Sequence, residues 1–255
     1  MLPAVHYTMG GILADGDTAS PLQGLYSAGE CSSVGIHGAN RLGSNSLTEL
    51  LVFGRKAGEA AAAHAGAVAP ADASRVEALA QAAIARATTL VDRRADRGGE
   101  RIATLRREMA QSMEDGCGIY RSEQALRATC DTLAALKQRY RHVQLDDHST
   151  AWNTEWLLAI ELGYLLDVAE AMAHSALARR ESRGSHQRLD GFEQRDDVNF
   201  LAHSLAEYAG DDAPRIRHAP VTITHSPPGT RAYGAAGERA DAQADAERQA
   251  SEAAS

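Results

Sequence analysis

The sequence predicts an α+β fold in which a helical region lies between two regions with short strands. Three patterns carry this prediction. Residues 1–66 alternate strand-like runs with glycine turns, whereas residues 72–184 are rich in charge and space their apolar residues as helices do. Residues 185–239 contain a further short strand-like run at 221–224. Residues 240–255 are mostly alanine and polar side chains, which predicts a disordered tail.

Composition excludes several classes of protein. The 255 residues carry a formal net charge of −8, which argues against general affinity for nucleic acid. The three cysteines form no CxxC pair, so a reduced cytosolic setting fits better than a secreted one. No apolar run is long enough to span a membrane, and the first residues lack the pattern of a secretory signal.

In the first segment, residues 24–30 (GLYSAGE) read as a short buried strand that ends in small residues and an acid. Residues 46–49 have the spacing of a capping box, in which a serine oxygen accepts a backbone N–H and a glutamate follows three residues later. A helix is therefore predicted from Ser46 to an alanine-rich stretch near Ala63. A linker of small residues at 66–70 follows it.

The helical region divides into several predicted helices. Residues 114–118 (EDGCG) interrupt the pattern across 72–141, and a further helix is predicted at about 122–140. The spaced apolar positions before that helix are Val76, Leu79, Ala83, Val91, Ile102, Leu105, Met109 and Met113.

A long helix is predicted to begin near Asn153 or Thr154. Apolar residues recur at every fourth position, which predicts one core-facing stripe on a helix of a bundle. The residues of this predicted stripe are Trp156, Ile160, Tyr164, Val168 and Met172.

The chemistry of the first segment suits a cofactor with a ribityl chain and a flat ring. Glu30, at the predicted strand end, can accept hydrogen bonds from vicinal hydroxyls. The following helix start presents free N–H groups to an anionic ring edge. The Arg41 guanidinium matches a carboxylate, and His6 can donate a second hydrogen bond, so a small dicarboxylate would be clamped between them. From these residues alone, an ordinary surface loop explains the pattern equally well.

Several runs of sequence closely resemble the flavoprotein subunits of the fumarate reductase and succinate dehydrogenase family, which includes L-aspartate oxidase. The runs are HYTMGG (6–11), GLYSAGE (24–30), HGANRLGSNSL (37–47), EDGCGIYR (114–121), AMAHSA (171–176) and ESRGSHQR (181–188). Prolines 227–228 and the alanine-rich end also look like that family. Residues 8–9 and 31–35 look most like the bacterial quinol-linked fumarate reductases.

The resemblance implies a fold, a cofactor and partners. Residues 1–66 would be the C-terminal part of an FAD-binding α/β domain, followed by a helical bundle domain at 72–184 and a C-terminal region at 185–239. His6 and Arg41 would bind fumarate or succinate, which exchanges a hydride with the flavin N5. The residues that would contact FAD are His6, Tyr7, Glu30, Arg41, Leu42, Gly43, Ser44, Asn45, Ser46 and Leu47.

Electrons would arrive from quinol through an iron–sulfur subunit and membrane anchor subunits. The protein would be peripheral, at the cytoplasmic face of the bacterial inner membrane. No metal site and no nucleic-acid partner are expected.

Some parts of the family pattern are missing from the chain. The sequence contains no GxGxxG motif, no histidine segment for covalent flavin attachment and no capping domain with its proton-donating arginine. We therefore expect the isolated chain neither to retain FAD tightly nor to turn over substrate, and we assign no catalytic residue. The alternatives are a non-catalytic helical module that docks the iron–sulfur subunit, or the flavoprotein of succinate dehydrogenase or L-aspartate oxidase.

Other polar residues carry weaker hypotheses. His174 is expected to be packed or hydrogen-bonded on its helix, and Cys31 to lie near the cofactor without a reactive role. Trp152 and Trp156 are expected to be core or interface anchors. For a basic cluster we favour ion pairing or subunit contact over nucleic-acid binding. The cluster consists of Arg179, Arg180, Arg183, His186 and Arg188.

Overall fold

The computed structural model describes residues 6–92, 99–224 and 229. The predicted tail at 240–255 and prolines 227–228 lie outside these residues. The α+β class is confirmed. The described residues up to Pro220 belong to one compact unit, and a second unit begins at Val221. The elements are β1 (Ile12–Leu13), β2 (Ser32–Ser33), α1 (Asn45–Ala67), α2 (Ala73–Asp92), α3 (Ile102–Cys117), β3 (Tyr120–Arg121), α4 (Glu123–Tyr140), α5 (Thr154–Ala178), β4 (Gln187–Arg188), α6 (Asp197–Phe200), β5 (Ala202–Glu207) and β6 (Arg215–Pro220).

The predicted strand at 24–30 is wrong. Within it only Tyr26 makes a β-bridge, to Ala19. Gly24 and Gly29 adopt φ angles of 84° and 87°, which interrupt an extended strand at both ends. Parallel pairing occurs just after this segment, where Ile12 and Leu13 of β1 pair with Ser32 and Ser33 of β2.

The predicted capping box is also wrong. Helix α1 begins at Asn45, after Ser44 in a left-handed conformation (φ 62°), and no side chain caps it. The Glu49 side chain points to other partners, described below. At its other end α1 continues to Ala67, because the alanines between Glu59 and Ala67 favour helix into the predicted linker.

A bundle of α3, α4 and α5 forms the main core. Its predicted members on α3, namely Ile102, Leu105 and Met109, are confirmed as buried. The same helix runs through residues 114–117 without a break and ends before Gly118. On α2 the outcome is mixed, because Val76 and Leu79 are exposed, whereas the predicted Val91 and its neighbour Leu90 are buried. Buried side chains from α4, α5 and the intervening loop complete this core, including Leu133, Leu136, Val143, Leu145, Ala159, Leu162, Leu166 and Ala173.

The predicted core stripe of α5 is wrong over most of its length. Tyr164, Val168 and Met172 are 69%, 55% and 43% exposed. Four residues turn a helix by about 40° more than a full revolution, so a stripe of strict four-residue steps drifts off the core. The buried apolar positions instead alternate steps of three and four: Ala159, Leu162, Leu166, Ala169, Ala173 and Ala176.

The start of α5 is confirmed. The Asn153 side chain accepts a hydrogen bond from the Trp156 backbone N–H, which satisfies a donor of the first turn. The Trp156 indole is partly buried and donates to the Ala87 carbonyl, which ties α5 to α2. Trp152 is 99% exposed, so a core role for this residue is wrong.

The strands that follow α5 belong to two small sheets. β3 and β4 pair in parallel, whereas β5 and β6 form an antiparallel hairpin in which Ala202 lies opposite Pro220. The strand predicted at 221–224 is wrong, since the hairpin ends at Pro220 and residues 221–224 have no regular structure. Among the helices of the described residues, none combines the length and apolar character that crossing a membrane requires.

The corrected core face of α5 can be tested with two matched substitutions. Leu166→Ala should lower the free energy of unfolding by about 2–5 kcal/mol, because Leu166 is 1% exposed within the bundle. Leu157→Ala, on the exposed side of the same helix, should change it by less than about 0.5 kcal/mol. Urea denaturation measures both, and equal losses would contradict this assignment of faces.

Candidate functional site

Two side chains from separate segments, Tyr7 and His37, meet at the buried carboxylate of Glu49. The Tyr7 hydroxyl donates to Glu49 Oε2 at 2.8 Å, and His37 Nε2 lies 2.5 Å from the same oxygen. Glu49 is 2% exposed and the His37 side chain 8% exposed. Burial and the hydrogen bond to Glu49 raise the pKa of Tyr7 to about 12, so its hydroxyl keeps its proton at neutral pH.

The sequence prediction missed this cluster. The sequence pattern predicts a capping role for Glu49 and no role of its own for His37. The available signal was the position of a lone acid within an apolar run, since Leu47, Leu50 and Leu51 surround Glu49 on α1. A carboxylate is rarely fully buried unless it is paired, and the partners of Glu49 come from distant segments.

Arg41 lies on this cluster. Its Cζ is 4.6 Å from the centroid of the Tyr7 ring, within the range of a cation–π contact. Its Nη1 donates to the Leu42 carbonyl at 3.1 Å. Its Nε is buried and has no hydrogen-bond partner among the described residues. The guanidinium is therefore held through its face, which leaves N–H donors for a carboxylate.

The other predicted site residues of the N-terminal segment lie beside this cluster or at its edge. His6 is exposed and directly precedes Tyr7, which carries the Arg41 guanidinium on its ring. Glu30 is exposed, and its Oε1 accepts a hydrogen bond from the Thr8 backbone N–H at 2.9 Å. That bond joins the predicted ribityl-binding acid to the segment that contains His6 and Tyr7.

The start of α1 is open, as binding of a flat ring would require. Leu42, Gly43, Ser44 and Leu47 are exposed, Asn45 and Ser46 are partly exposed, and no heavy atom would lie within 4 Å of a Cβ added at Gly43. Without a side-chain cap, the positive end of the helix dipole can serve an anionic group, although the Asn45 and Leu47 N–H groups already donate to the Leu42 and Ser44 carbonyls. Together with the unpartnered Arg41 Nε, these residues fit a flavin whose reduced ring is anionic.

A turn from the far end of the chain supports the loop before Arg41. Both the backbone N–H and the hydroxyl of Ser185 donate to the Ala39 carbonyl, at 3.1 Å and 2.9 Å. Gly184 has φ +58°, and a Cβ there would lie only 2.5 Å from the same carbonyl oxygen. Nearby, a Cβ at Gly35 would lie 3.3 Å from the ring of His203 on β5. The loop between Gly35 and Ala39 is thus packed against two C-terminal elements.

Comparison with known proteins identifies the family. A family profile described as "Fumarate reductase flavoprotein C-term" matches residues 106–233, about half of the chain, and one described as "FAD binding domain" matches residues 1–47. The chain belongs to the fumarate reductase flavoprotein family. FAD is the cofactor of this family, and the Arg41 cluster lies in the part that matches the FAD-binding profile, except for Glu49 just beyond it.

Curated relatives show how much of a family member is present. The fumarate reductase flavoprotein subunit of Serratia sp. (strain ATCC 39006) is 53% identical over 242 residues, which are 94% of this chain and 40% of the relative. The Escherichia coli (strain K12) subunit is 50% identical, over 94% of this chain and 39% of its own length. The chain therefore spans about 40% of the length of these fumarate reductase relatives.

Solved structures share the fold. A variant of E. coli quinol fumarate reductase matches with a TM-score of 0.83 and 50% identity, over 88% of this chain and 38% of that one. The Mycobacterium smegmatis Sdh1 structure in complex with UQ1 matches with a TM-score of 0.70 and 38% identity, over 86% of this chain and 36% of that one. The family therefore accounts for both the FAD-binding segment and the bundle.

Three arginines of the predicted basic cluster form ion pairs, as predicted. Arg179 and Arg183 both bind Glu181, which is fully buried, and Arg188 binds Asp190 at 2.6 Å. Burial raises the pKa of Glu181, but hydrogen bonds from Arg183, Arg179 and the Asp196 N–H outweigh it and lower the pKa overall.

The remaining minor hypotheses have mixed outcomes. Cys31 is exposed, and its thiol donates to the Ala28 carbonyl at 3.6 Å. His174 is partly buried on α5, and the geometry does not test its role further. Within residues 6–92, 99–224 and 229, no group of three or more His, Cys, Asp or Glu is arranged to hold a metal ion.

The close contact of Gly184 with the Ala39 carbonyl can be tested against a second glycine. Alanine in a left-handed conformation costs about 1–2 kcal/mol, both at Gly184 and at Gly191, whose φ is +90°. Only at Gly184 does a Cβ also meet backbone, so Gly184→Ala should lose about 1–3 kcal/mol more than Gly191→Ala in denaturant unfolding. Equal losses would show that the turn can move away from the loop.

We predict that protonation of His186 destabilises the protein. Burial lowers the pKa of His186 from 6.5 to about 4, despite its hydrogen bond to the Arg179 carbonyl, and nearby Arg121 lowers it further. Between these values the unfolded chain binds more protons than the folded one, so stability should fall as the pH drops from 6.5 to about 4. NMR titration measures the pKa, and His186→Gln should flatten the loss. A ring midpoint near 6.5 would contradict the prediction.

Proposed function

We propose that this chain provides the ring-side half of the FAD and dicarboxylate site of a quinol-linked fumarate reductase. The observation that carries the proposal is the Arg41 guanidinium, held by its face on Tyr7 with a buried Nε left unpaired, close in sequence to the open start of α1. A small anion with carboxylate groups matches these donors.

Each residue has a proposed task in the interconversion of fumarate and succinate. Arg41 and His6 bind the substrate carboxylates and hold the reacting carbons in place. Holding the substrate in a fixed orientation lowers the entropy cost of the reaction. Glu30 binds ribityl hydroxyls, and residues 42–47 face the pyrimidine end of the ring. Bound FAD supplies the hydride chemistry at its N5. The arrangement of matched profiles supports these assignments.

We propose partners from the chemistry and from the relatives. The chain docks an iron–sulfur subunit, which passes electrons from quinol through membrane anchor subunits. It would be peripheral at the cytoplasmic face of a bacterial inner membrane. A structural relative is titled quinol-fumarate reductase with menaquinol molecules, which supports a quinol as electron donor.

A non-catalytic docking module is the second candidate. The outer side of α5 favours it, because Leu157, Tyr164, Val168 and Met172 form an exposed apolar stripe along that helix. Such a stripe is typical of a surface that another protein covers. Co-purification of the chain with an iron–sulfur subunit, in the absence of flavin, would favour this candidate.

The experiment is a chimera in which this chain replaces the matched region of the Serratia flavoprotein. We expect the purified chimera to show visible flavin absorbance and to reduce fumarate with an artificial donor, whereas the chain alone should show neither, because it contains no GxGxxG loop. A folded chimera without flavin or turnover would contradict the proposal, and so would a stoichiometric flavin spectrum of the chain alone.

Arg41→Lys in the chimera tests the substrate clamp. A lysine lacks the planar guanidinium that binds a carboxylate through two hydrogen bonds, so kcat/KM for fumarate should fall about 10- to 100-fold while the bound flavin content changes little. Arg55→Lys is the control, because Arg55 is exposed on α1 and pairs with Glu59. Equal kinetics of the two variants would exclude Arg41 from substrate binding.

A further inference from the structure

We infer that Glu49 and His37 are positioning residues that act on Arg41 through the Tyr7 ring. The inference rests on the proposed function, because Arg41 is a substrate-binding residue only within it. Neither Glu49 nor His37 is among the predicted ligands of FAD or dicarboxylate. Their effect would therefore reach the substrate through Tyr7 and Arg41.

Hydrogen bonding fixes the orientation of the cluster. Asn45 Nδ2 lies 3.4 Å from His37 Nδ1 and donates to it, so the ring proton of a neutral His37 lies on Nε2 and points to Glu49 Oε2. The Tyr7 hydroxyl donates to the same oxygen. The Tyr7 and His37 rings also pack edge to face, with centroids 5.5 Å apart and an 89° angle between planes. The Tyr7 ring thus has one orientation.

The carboxylate also acts on the ring's electrons. A hydroxyl that donates to a carboxylate gains electron density, which makes the face of its ring more negative. A guanidinium over that face is held more firmly, while its N–H groups stay available. The Arg41 Cζ lies at 4.6 Å from this ring, and its buried Nε has no partner among the described residues.

The position of Glu49 argues for a function beyond stability. A carboxylate that is 2% exposed loses its hydration, and an apolar side chain at that site would avoid this cost. The cluster also reaches Asn45, the first residue of α1, so one network joins the Arg41 clamp to the helix start that faces the proposed ring. A role in orienting the clamp would explain why an acid occupies this buried position.

The first test needs neither flavin nor turnover. In the isolated full chain, the Arg41 Nε–H resonance is followed by NMR in Tyr7→Phe and Glu49→Gln variants, with Glu59→Gln on the exposed side of α1 as the control. We expect both cluster variants to increase the exchange rate of this proton with water about tenfold and to move its shift toward that of free arginine. The control should leave both unchanged.

The second test is kinetic and uses the chimera. Tyr7→Phe keeps the ring and removes the hydroxyl, so it should raise the KM for fumarate about tenfold with a smaller change in kcat. Glu49→Gln should do the same, and Glu49→Asp should restore part of the loss. If Glu49→Gln fails to fold, Tyr7→Phe alone still decides the matter, because it removes one hydroxyl only.

The outcomes separate the two proposals. Unchanged Arg41 resonances in folded variants of the isolated chain would overturn the positioning role, whatever the activity of the parent chimera. An unchanged KM in folded variants of an active chimera would also overturn it. A parent chimera without flavin or turnover would overturn the proposed function. If the parent chimera is inactive but the Arg41 resonances still shift in the variants of the isolated chain, the cluster does orient Arg41. A role of this orientation in substrate binding would then be refuted.

Discussion

The site depends on one buried carboxylate, Glu49 on α1. Removing this group from water costs free energy, and the hydrogen bonds from Tyr7 and His37 offset that cost only when both side chains point inward. This requirement fixes the Tyr7 ring, and the ring in turn supports the Arg41 guanidinium by its face. The Arg41 side chain, on a glycine-rich loop, thereby acquires a defined position while its Nε–H stays without a partner among the described residues.

A second constraint acts on the same loop from the opposite end of the chain. The turn at Gly184 and Ser185 packs directly on the Ala39 carbonyl, in a contact that admits no Cβ at residue 184. That turn is itself fixed, because the buried Glu181 binds two arginines and because β3 pairs with β4 beside it. The helical region and the C-terminal region therefore contribute to the Arg41 site through backbone packing.

The sequence predicted what local chemistry controls. The start of α5 near Asn153 and the buried positions of α3 follow from one helix each, and the structure confirms them. The sequence prediction was wrong where contacts between distant segments determine the structure. Glu49 accepts a hydrogen bond from Tyr7 and contacts His37 instead of capping the helix. Glycines with positive φ interrupt the expected strand at 24–30. The predicted core-facing stripe of α5 was wrong because two faces of this helix carry apolar residues, and only the packing of the bundle shows which face is buried. The family resemblance supplied the cofactor, which no single motif here specifies.

The most direct measurement of the central claim is a crystal structure of the chimera with FAD and succinate bound. We expect the Arg41 guanidinium to donate two hydrogen bonds to one succinate carboxylate at about 2.7–2.9 Å, with its Cζ still over the Tyr7 ring and Glu49 still hydrogen-bonded to Tyr7 and His37. A structure in which succinate binds without contact to Arg41, or in which Arg41 leaves the Tyr7 ring to reach it, would contradict the account.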